Sequence, residues 1–216
     1  MAPAQALKVS EIFYSLQGES LTTGIPTLFI RLTGCPLRCS YCDTEYAFSG
    51  GEWMTIDNIL KHTEKSKADY VTVTGGEPLA QNRCLDLLHK LCDAGYRVSL
   101  ETGGAHDIAK VDPRVTVVMD IKTPGSGEVD RNHYANIIRL RTDDQVKFVI
   151  CNREDYDWTK ACLQKHRLNR RCNILFSPAW QCQDASELAE WILADRLSVR
   201  MQVQLHKILW GETRGR

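Results

Sequence analysis

Strand-length apolar runs alternate with helix-like stretches along most of this 216-residue chain, and that alternation restricts its fold more than any other feature. The runs lie at 27–32, 70–74, 97–101, 115–120, 145–150, 173–176 and 200–205. Between them the periodicity predicts helices over 56–64, 85–94, 156–166 and 185–194. In the second of these, Leu85, Leu88, Leu91 and Cys92 share a face and Gly95 is the stop, while Asp184 is the N-cap of the last. Strands joined through helices imply right-handed crossovers and a mostly parallel sheet covered on its outer face. A complete eight-fold barrel takes about 250 residues, so an α/β fold with an incomplete, TIM-like barrel is expected. No repeat, low-complexity tract or Pro/Ser-rich linker interrupts the pattern. The nearest thing to a break is a polar loop at 123–127, and residues 1–216 read as a single domain.

Polar residues gather where these strands end: Thr74 and Glu77, Glu101 and Thr102, Asp120 and Lys122, Ser177, and Gln204 with His206. The carboxyl ends of parallel strands form the active face of such folds, so one pocket is expected to collect them. Side chains two apart share a strand face. Arg31 falls with Phe29, opposite Leu28, Ile30 and Leu32; Glu101 falls with Ser99; and Gln202, Gln204 and His206 fall opposite Met201, Val203 and Leu205. Central parallel strands are ordinarily apolar on both faces, so these polar faces predict a lumen that binds a polar ligand.

Lys plus Arg and Asp plus Glu number 27 each, so no net field draws the chain to nucleic acid or an anionic membrane, and neither is expected as a direct partner. The opening MAPAQALKVSEIF lacks the basic stretch and apolar run of a secretory signal, and no segment approaches about eighteen unbroken apolar residues. A soluble, cytoplasmic protein is expected. Nine cysteines is a high, odd count, and in a reducing compartment thiols serve metals or chemistry more often than disulfides.

Three of them, Cys35, Cys39 and Cys42, lie together just after a predicted strand, in a loop that also holds Gly34 and Pro36. Such a loop can aim three sulfurs at one metal centre. Two readings besides inert buried thiols follow. Structural zinc takes four N or S ligands; no second Cys or His pair follows, which leaves Cys84 or Cys92 as the fourth. A [4Fe–4S] cluster normally takes four thiolates, so three leave one iron open to an outside ligand, and the amino and carboxylate groups of S-adenosylmethionine (SAM) suit that vacancy. Downstream, a strand runs into Thr74, Gly75, Gly76, Glu77 and Pro78. Glycines there let a ligand approach the backbone, and the Glu77 carboxylate is expected to accept from a ligand ammonium.

The Cys-x3-Cys-x2-Cys spacing with Tyr41 before the last cysteine, together with the Gly-Gly-Glu-Pro segment, resembles the radical SAM superfamily. Further segments at 11–19, 29–36, 42–44, 101–103 and 204–207 narrow the likeness to the 7-carboxy-7-deazaguanine synthases, over residues 10–210. The resemblance implies a radical SAM type of partial barrel and a lyase of the queuosine and 7-deazapurine pathway. That lyase converts 6-carboxy-5,6,7,8-tetrahydropterin to 7-carboxy-7-deazaguanine with loss of ammonia, and SAM is regenerated. It also implies a [4Fe–4S] cluster on Cys35, Cys39 and Cys42, a magnesium ion on the Thr44 hydroxyl, an electron donor such as flavodoxin or ferredoxin, and a homodimer.

By motif, SAM falls to Tyr41, Cys42 and Asp43, to Gly76 and Glu77, to Asp120, Ile121 and Lys122, and to Ser177, Pro178, Ala179 and Trp180. The pterin falls to the backbone of Leu16, Gln17 and Gly18 and to the side chains of Arg31, Thr74, Glu101, Gln204 and His206, with Glu101 and His206 at the reacting end. A guanidinium suits the substrate carboxylate, and a carboxylate suits the pterin N–H groups. The chain departs from many relatives at Asp120, at Gly103 and in residues 211–216, to which no role is carried over. A radical SAM activating enzyme acting on a glycyl partner, and a non-catalytic zinc-binding or electron-transfer module, are the competing readings.

Overall fold

The computed structural model describes residues 6–216; the first five residues, part of the opening segment examined for a secretory signal, lie outside the described residues. The strands are β1 (Ala6–Leu16), β2 (Pro26–Leu32), β3 (Glu52–Thr55), β4 (Tyr70–Gly75), β5 (Arg97–Thr102), β6 (Thr116–Asp120), β7 (Gln145–Ile150), β8 (Asn173–Pro178) and β9 (Arg200–Met201). They form one sheet in the order β3-β1-β2-β4-β5-β6-β7-β8-β9. From β2 to β9 every pairing is parallel, whereas β1 runs antiparallel to both β2 and β3. Among the described residues β3 and β9 do not pair, so the sheet is the open, incomplete barrel expected.

Helices α1 (Ile56–Ser66), α2 (Cys84–Asp93), α3 (Arg153–His166) and α4 (Ala185–Ala194) cover the outer face. Each has a local reason to start or stop. Thr55, Asn152 and Asp184 accept the orphan amides of Asn58, Asp155 and Glu187, and Lys67 and Arg167 end α1 and α3 in left-handed conformations. The buried stripe of α2 is Cys84, Leu87, Leu88 and Leu91, with Leu85 and Cys92 at its margins rather than at its centre. The stripes of α1 and α2 pack on Leu28, Ile30, Leu32, Val71, Val73, Val98 and Leu100, and those of α3 and α4 on Val146, Phe148, Ile150 and Phe176. Full burial of one such side chain contributes about 1.5–3 kcal/mol, so the outer core, not the lumen, holds the barrel together.

Two parts of the sequence reading need correction. Strands β1 and β3 have no counterpart among the apolar runs of the sequence. β1 alternates Glu11, Phe13 and Ser15 with Ile12 and Tyr14 at the antiparallel margin of the sheet, with a register shift between Val9 and Glu11, and so carries no continuous apolar run. The final strand, expected over 200–205, stops at Met201, and residues 205–210 form the short helix α5 (Leu205–Trp210). Pro178 closes the neighbouring strand and has no N–H to extend the ladder. The Gln202 carbonyl oxygen Oε1 is taken by the Ser20 amide at 2.8 Å. The alternation expected of Leu205 and His206 therefore does not apply: Leu205 is only half-buried and is no core residue.

Candidate active site

The cysteine loop leaves β2 through Gly34, whose φ of 100° suits glycine alone. It is held from three sides. The Gly34 carbonyl accepts the Glu77 amide at 2.8 Å, the Gly34 amide donates to Ala47 at 2.8 Å, and the Cys42 amide closes a turn onto Cys39 at 3.1 Å. From below, the segment at 123–127 is a packed turn, not a loose break. Thr123 and Ser126 are fully buried, the Gly125 amide donates to Asp155 at 2.7 Å, and Ser40 of the cysteine loop donates its hydroxyl to the Gly125 carbonyl at 2.6 Å. A methyl group on Gly76 would stand 2.7 Å from Cys35 Cβ and 2.5 Å from the Gly34 carbonyl, so glycine is what lets the tip of β4 meet this loop.

All three thiols are free, half-exposed and directed to one pocket of about 490 Å³. Burial pushes each above the usual cysteine range, while Lys122 acts the other way on Cys35 and Cys39; bound iron would reverse that burial effect. Among the described residues no three His, Cys, Asp or Glu side chains converge on one ion-sized point. A cubane cluster asks for a different spacing, because each thiolate binds its own iron corner, and the residues present fit it.

Leu16, Gln17, Gly18, Arg31, Tyr41, Asp43, Thr44, Thr74, Gly76, Glu101, Asp120, Lys122, Ser177, Pro178, Ala179, Trp180, Gln204 and His206 line the same pocket. Glu77 and Ile121 do not. Glu77 is 0 % exposed, and its carboxylate is consumed by the Leu79 amide at 2.9 Å, the Thr102 hydroxyl at 2.9 Å and the Gly103 amide at 2.7 Å, which leaves nothing to accept from a ligand ammonium. Ile121 turns outward into the α3 side of the core between Asp120 and Lys122, as strand parity requires.

At one end of the pocket Arg31 donates through Nε to Glu11 at 2.7 Å, and the Tyr46 hydroxyl donates to the same carboxylate oxygen at 2.7 Å. The guanidinium is thus gripped from behind, and its terminal nitrogens remain for a ligand. Across β4 from it, Glu101 accepts from the Thr74 hydroxyl at 3.0 Å and the Gln17 amide group at 3.2 Å. The Gln17 backbone is engaged by Ile25 and Gly24, so its side chain is what it offers the lumen. Thr44 donates to Asp43 at 2.8 Å, and Gln204 reaches both Asp43, at 3.3 Å, and Glu19, at 2.8 Å. His206 crosses over Gly18 so closely that an added methyl group there would lie 2.1 Å from its Nδ1.

At the other end Asp120 is bound by Lys122 at 2.7 Å. Burial works against both charges, but each stabilises the other, with Lys147 joining on the Asp120 side, so Asp120 sits below the usual carboxylate range and Lys122 above the usual amine range. The Tyr41 hydroxyl, buried beside them, has no hydrogen-bond partner among the described residues, an unmet donor on the wall expected to receive SAM. Four contributors escaped the sequence reading: Lys147, Glu19, Tyr46 and the tail at 211–216, which lines the mouth with Arg214 stacked 4.1 Å over the Tyr46 ring. Parity on β7, with Lys147 flanked by Val146 and Phe148, was the signal for the first.

The pattern of the Radical SAM superfamily matches residues 29–165. The 7-carboxy-7-deazaguanine synthase of Chlorobaculum tepidum is 45% identical over 214 residues, covering 98% of this chain and 97% of that protein. That of Koribacter versatilis is 41% identical, covering 97% and 100%. In fold, the crystal structure of QueE from Escherichia coli superposes with a TM-score of 0.73 at 24% identity, over 92% of this chain and 94% of that one. With the cysteine loop, the open barrel and 41–45% identity over nearly the whole length in agreement, the chain belongs to the radical SAM superfamily and, within it, to the 7-carboxy-7-deazaguanine synthases.

Proposed function

We propose that this chain converts 6-carboxy-5,6,7,8-tetrahydropterin to 7-carboxy-7-deazaguanine with loss of ammonia. The observation that carries this reading is the joining, in one pocket, of the cysteine loop with a guanidinium on β2 and a carboxylate on β5, the two strands that flank β4. Cys35, Cys39 and Cys42 would hold the cluster, and Tyr41, Gly76, Asp120, Lys122 and the segment from Ser177 to Trp180, which line the same pocket, would hold SAM. Bound there, cluster and SAM would supply the radical chemistry that activates a substrate C–H bond.

The chain's own residues bind and orient. Arg31 presents the planar fork left free by Glu11 to the substrate carboxylate. Glu101, with Thr74 and Gln17 fixing its oxygens, accepts the pterin N–H groups, and His206 closes the far side. Thr44 and Asp43 offer hard oxygens of the kind magnesium takes while keeping waters, and would hold a magnesium ion whose charge would help fix the substrate carboxylate. Such clamping fixes which C–H bond meets the radical, which is catalysis by orientation. The enzyme is read as a single domain, a homodimer and cytoplasmic, feeding tRNA modification and reduced by flavodoxin or ferredoxin. Its nine unpaired cysteines suit a reducing compartment. Anaerobic incubation with dithionite, SAM, magnesium and the carboxytetrahydropterin tests the reading: the deazaguanine chromophore and ammonia are expected in equal amounts, and SAM cleavage without either product would overturn it.

A further inference from the structure

Lys147 sits at the centre of the pocket's charge network. On β7 it shares the lumen face with Val149, while Val146, Phe148 and Ile150, each 0 % exposed, fill the outer core. Its Nζ lies 2.5 Å from Glu19 Oε2 and 3.4 Å from Asp120 Oδ1. Those two carboxylates come from different walls: Glu19 from the β1–β2 connection, where Gln204 holds its other oxygen at 2.8 Å, and Asp120 from the tip of β6, where Lys122 holds it. Glu101 lines the same lumen. Like charges in one largely desolvated space drive one another towards protonation unless a cation intervenes.

Resting on the reading of Glu101 as acceptor for the pterin N–H groups, we infer that Lys147 is a positioning residue. Its ammonium joins Glu19 and Asp120, carboxylates from two separate elements, and opposes protonation of Glu101 in the lumen they share. The charged groups acting on Glu101 are Lys147 from β7, Arg31 from β2 and Glu19 from the β1–β2 connection. Burial leaves the Glu101 carboxyl above the usual carboxylate range; Lys147 is the foremost influence against that shift, and Glu19 adds to it. Burial also works against the Lys147 charge, but Asp120, Glu19 and Glu101 outweigh it and hold the amine well above its usual range. Lys147 therefore stays a cation and donates no proton in the reaction.

The two partners then act with opposite sign on the pH at which substrate affinity is gained. The test is the pterin KM on cluster-loaded enzymes from about pH 6 to about pH 9. For Lys147→Met the acid limb should move up by about one pH unit or more, so that KM is about tenfold higher near neutrality and recovers as pH rises. Lys147→Arg should return the limb to the wild-type position, and Glu19→Gln should move it down. Superimposable profiles for wild type and Lys147→Met, or Glu19→Gln moving the limb up, would overturn the inference. If Lys147→Met does not fold, Glu19→Gln decides alone: a downward shift supports the inference and no shift rejects it. Glu101→Gln separates the two levels, since an unchanged KM there removes the reading of Glu101 and this inference with it, whereas a large loss beside an unshifted Lys147→Met rejects the inference only.

Discussion

Glu77 Oε2 accepts the Gly103 amide at 2.7 Å, tying the tip of β4 to the tip of β5 beneath the pocket floor. All three of its partners are donors, so an amide at this position would set its NH2 against one of them. Glu77→Gln is expected to cost about 1–3 kcal/mol of stability, while SAM affinity in the folded protein changes by less than about tenfold. Denaturant unfolding beside equilibrium SAM binding checks this. Loss of SAM affinity without loss of stability would return Glu77 to the ligand.

Replacing Cys35, Cys39 or Cys42 singly by Ala should abolish bound iron, acid-labile sulfide and visible absorbance. Cys172→Ala should retain all three, because Cys172 packs against the core on the α3 side, away from the pocket lining. Iron and sulfide analysis after anaerobic reconstitution checks both arms.

Gly18→Ala should lower turnover by roughly ten- to a hundredfold with little change in melting temperature, because the new methyl group displaces His206 from the pocket rather than disturbing the core. His206→Ala should give a comparable loss. The double variant should be little worse than His206→Ala alone, since the ring is gone and only the Cβ at 206, 3.2 Å away, remains for the methyl group to meet. Initial rates on the three variants measure this coupling, and additive losses would show that the two residues act separately.

Thr44→Val removes one hydroxyl oxygen at almost constant volume. Cluster content and SAM binding should stay normal while the magnesium concentration needed for half-maximal turnover rises by about tenfold. A magnesium titration unchanged from wild type would take Thr44 out of the site.

The site was legible where its geometry is local. Cys35, Cys39 and Cys42 occupy one loop, and Gly34 and Gly76 shape its contacts, so spacing along the chain suffices to bring them together. Parity also found Arg31 and Glu101, which lie on strands whose opposite faces are apolar. It failed at 202–206 because alternation presumes a continuing ladder, and that ladder ends beside Pro178. It misplaced Glu77, since a motif gives the order of residues at a strand tip but not which way a carboxylate turns once three amide and hydroxyl donors compete for it. Lys147 and Glu19 define each other only across the lumen, 128 positions apart in the chain, where no local pattern reaches.

The wall carrying Gln204 and His206 is joined to the first strands by the Ser20 amide on Gln202, a contact spanning 182 positions, and by the Leu205 amide on the Gly18 carbonyl at 3.0 Å. Contacts of such separation close the largest loops and form late in folding, and this one is fastened by a six-residue helix whose Ile208 and Leu209 face solvent. During synthesis the cysteine loop emerges long before residues 202–216. A cluster delivered in that interval meets a pocket that still lacks the wall carrying Gln204 and His206 and the tail that rests on Tyr46.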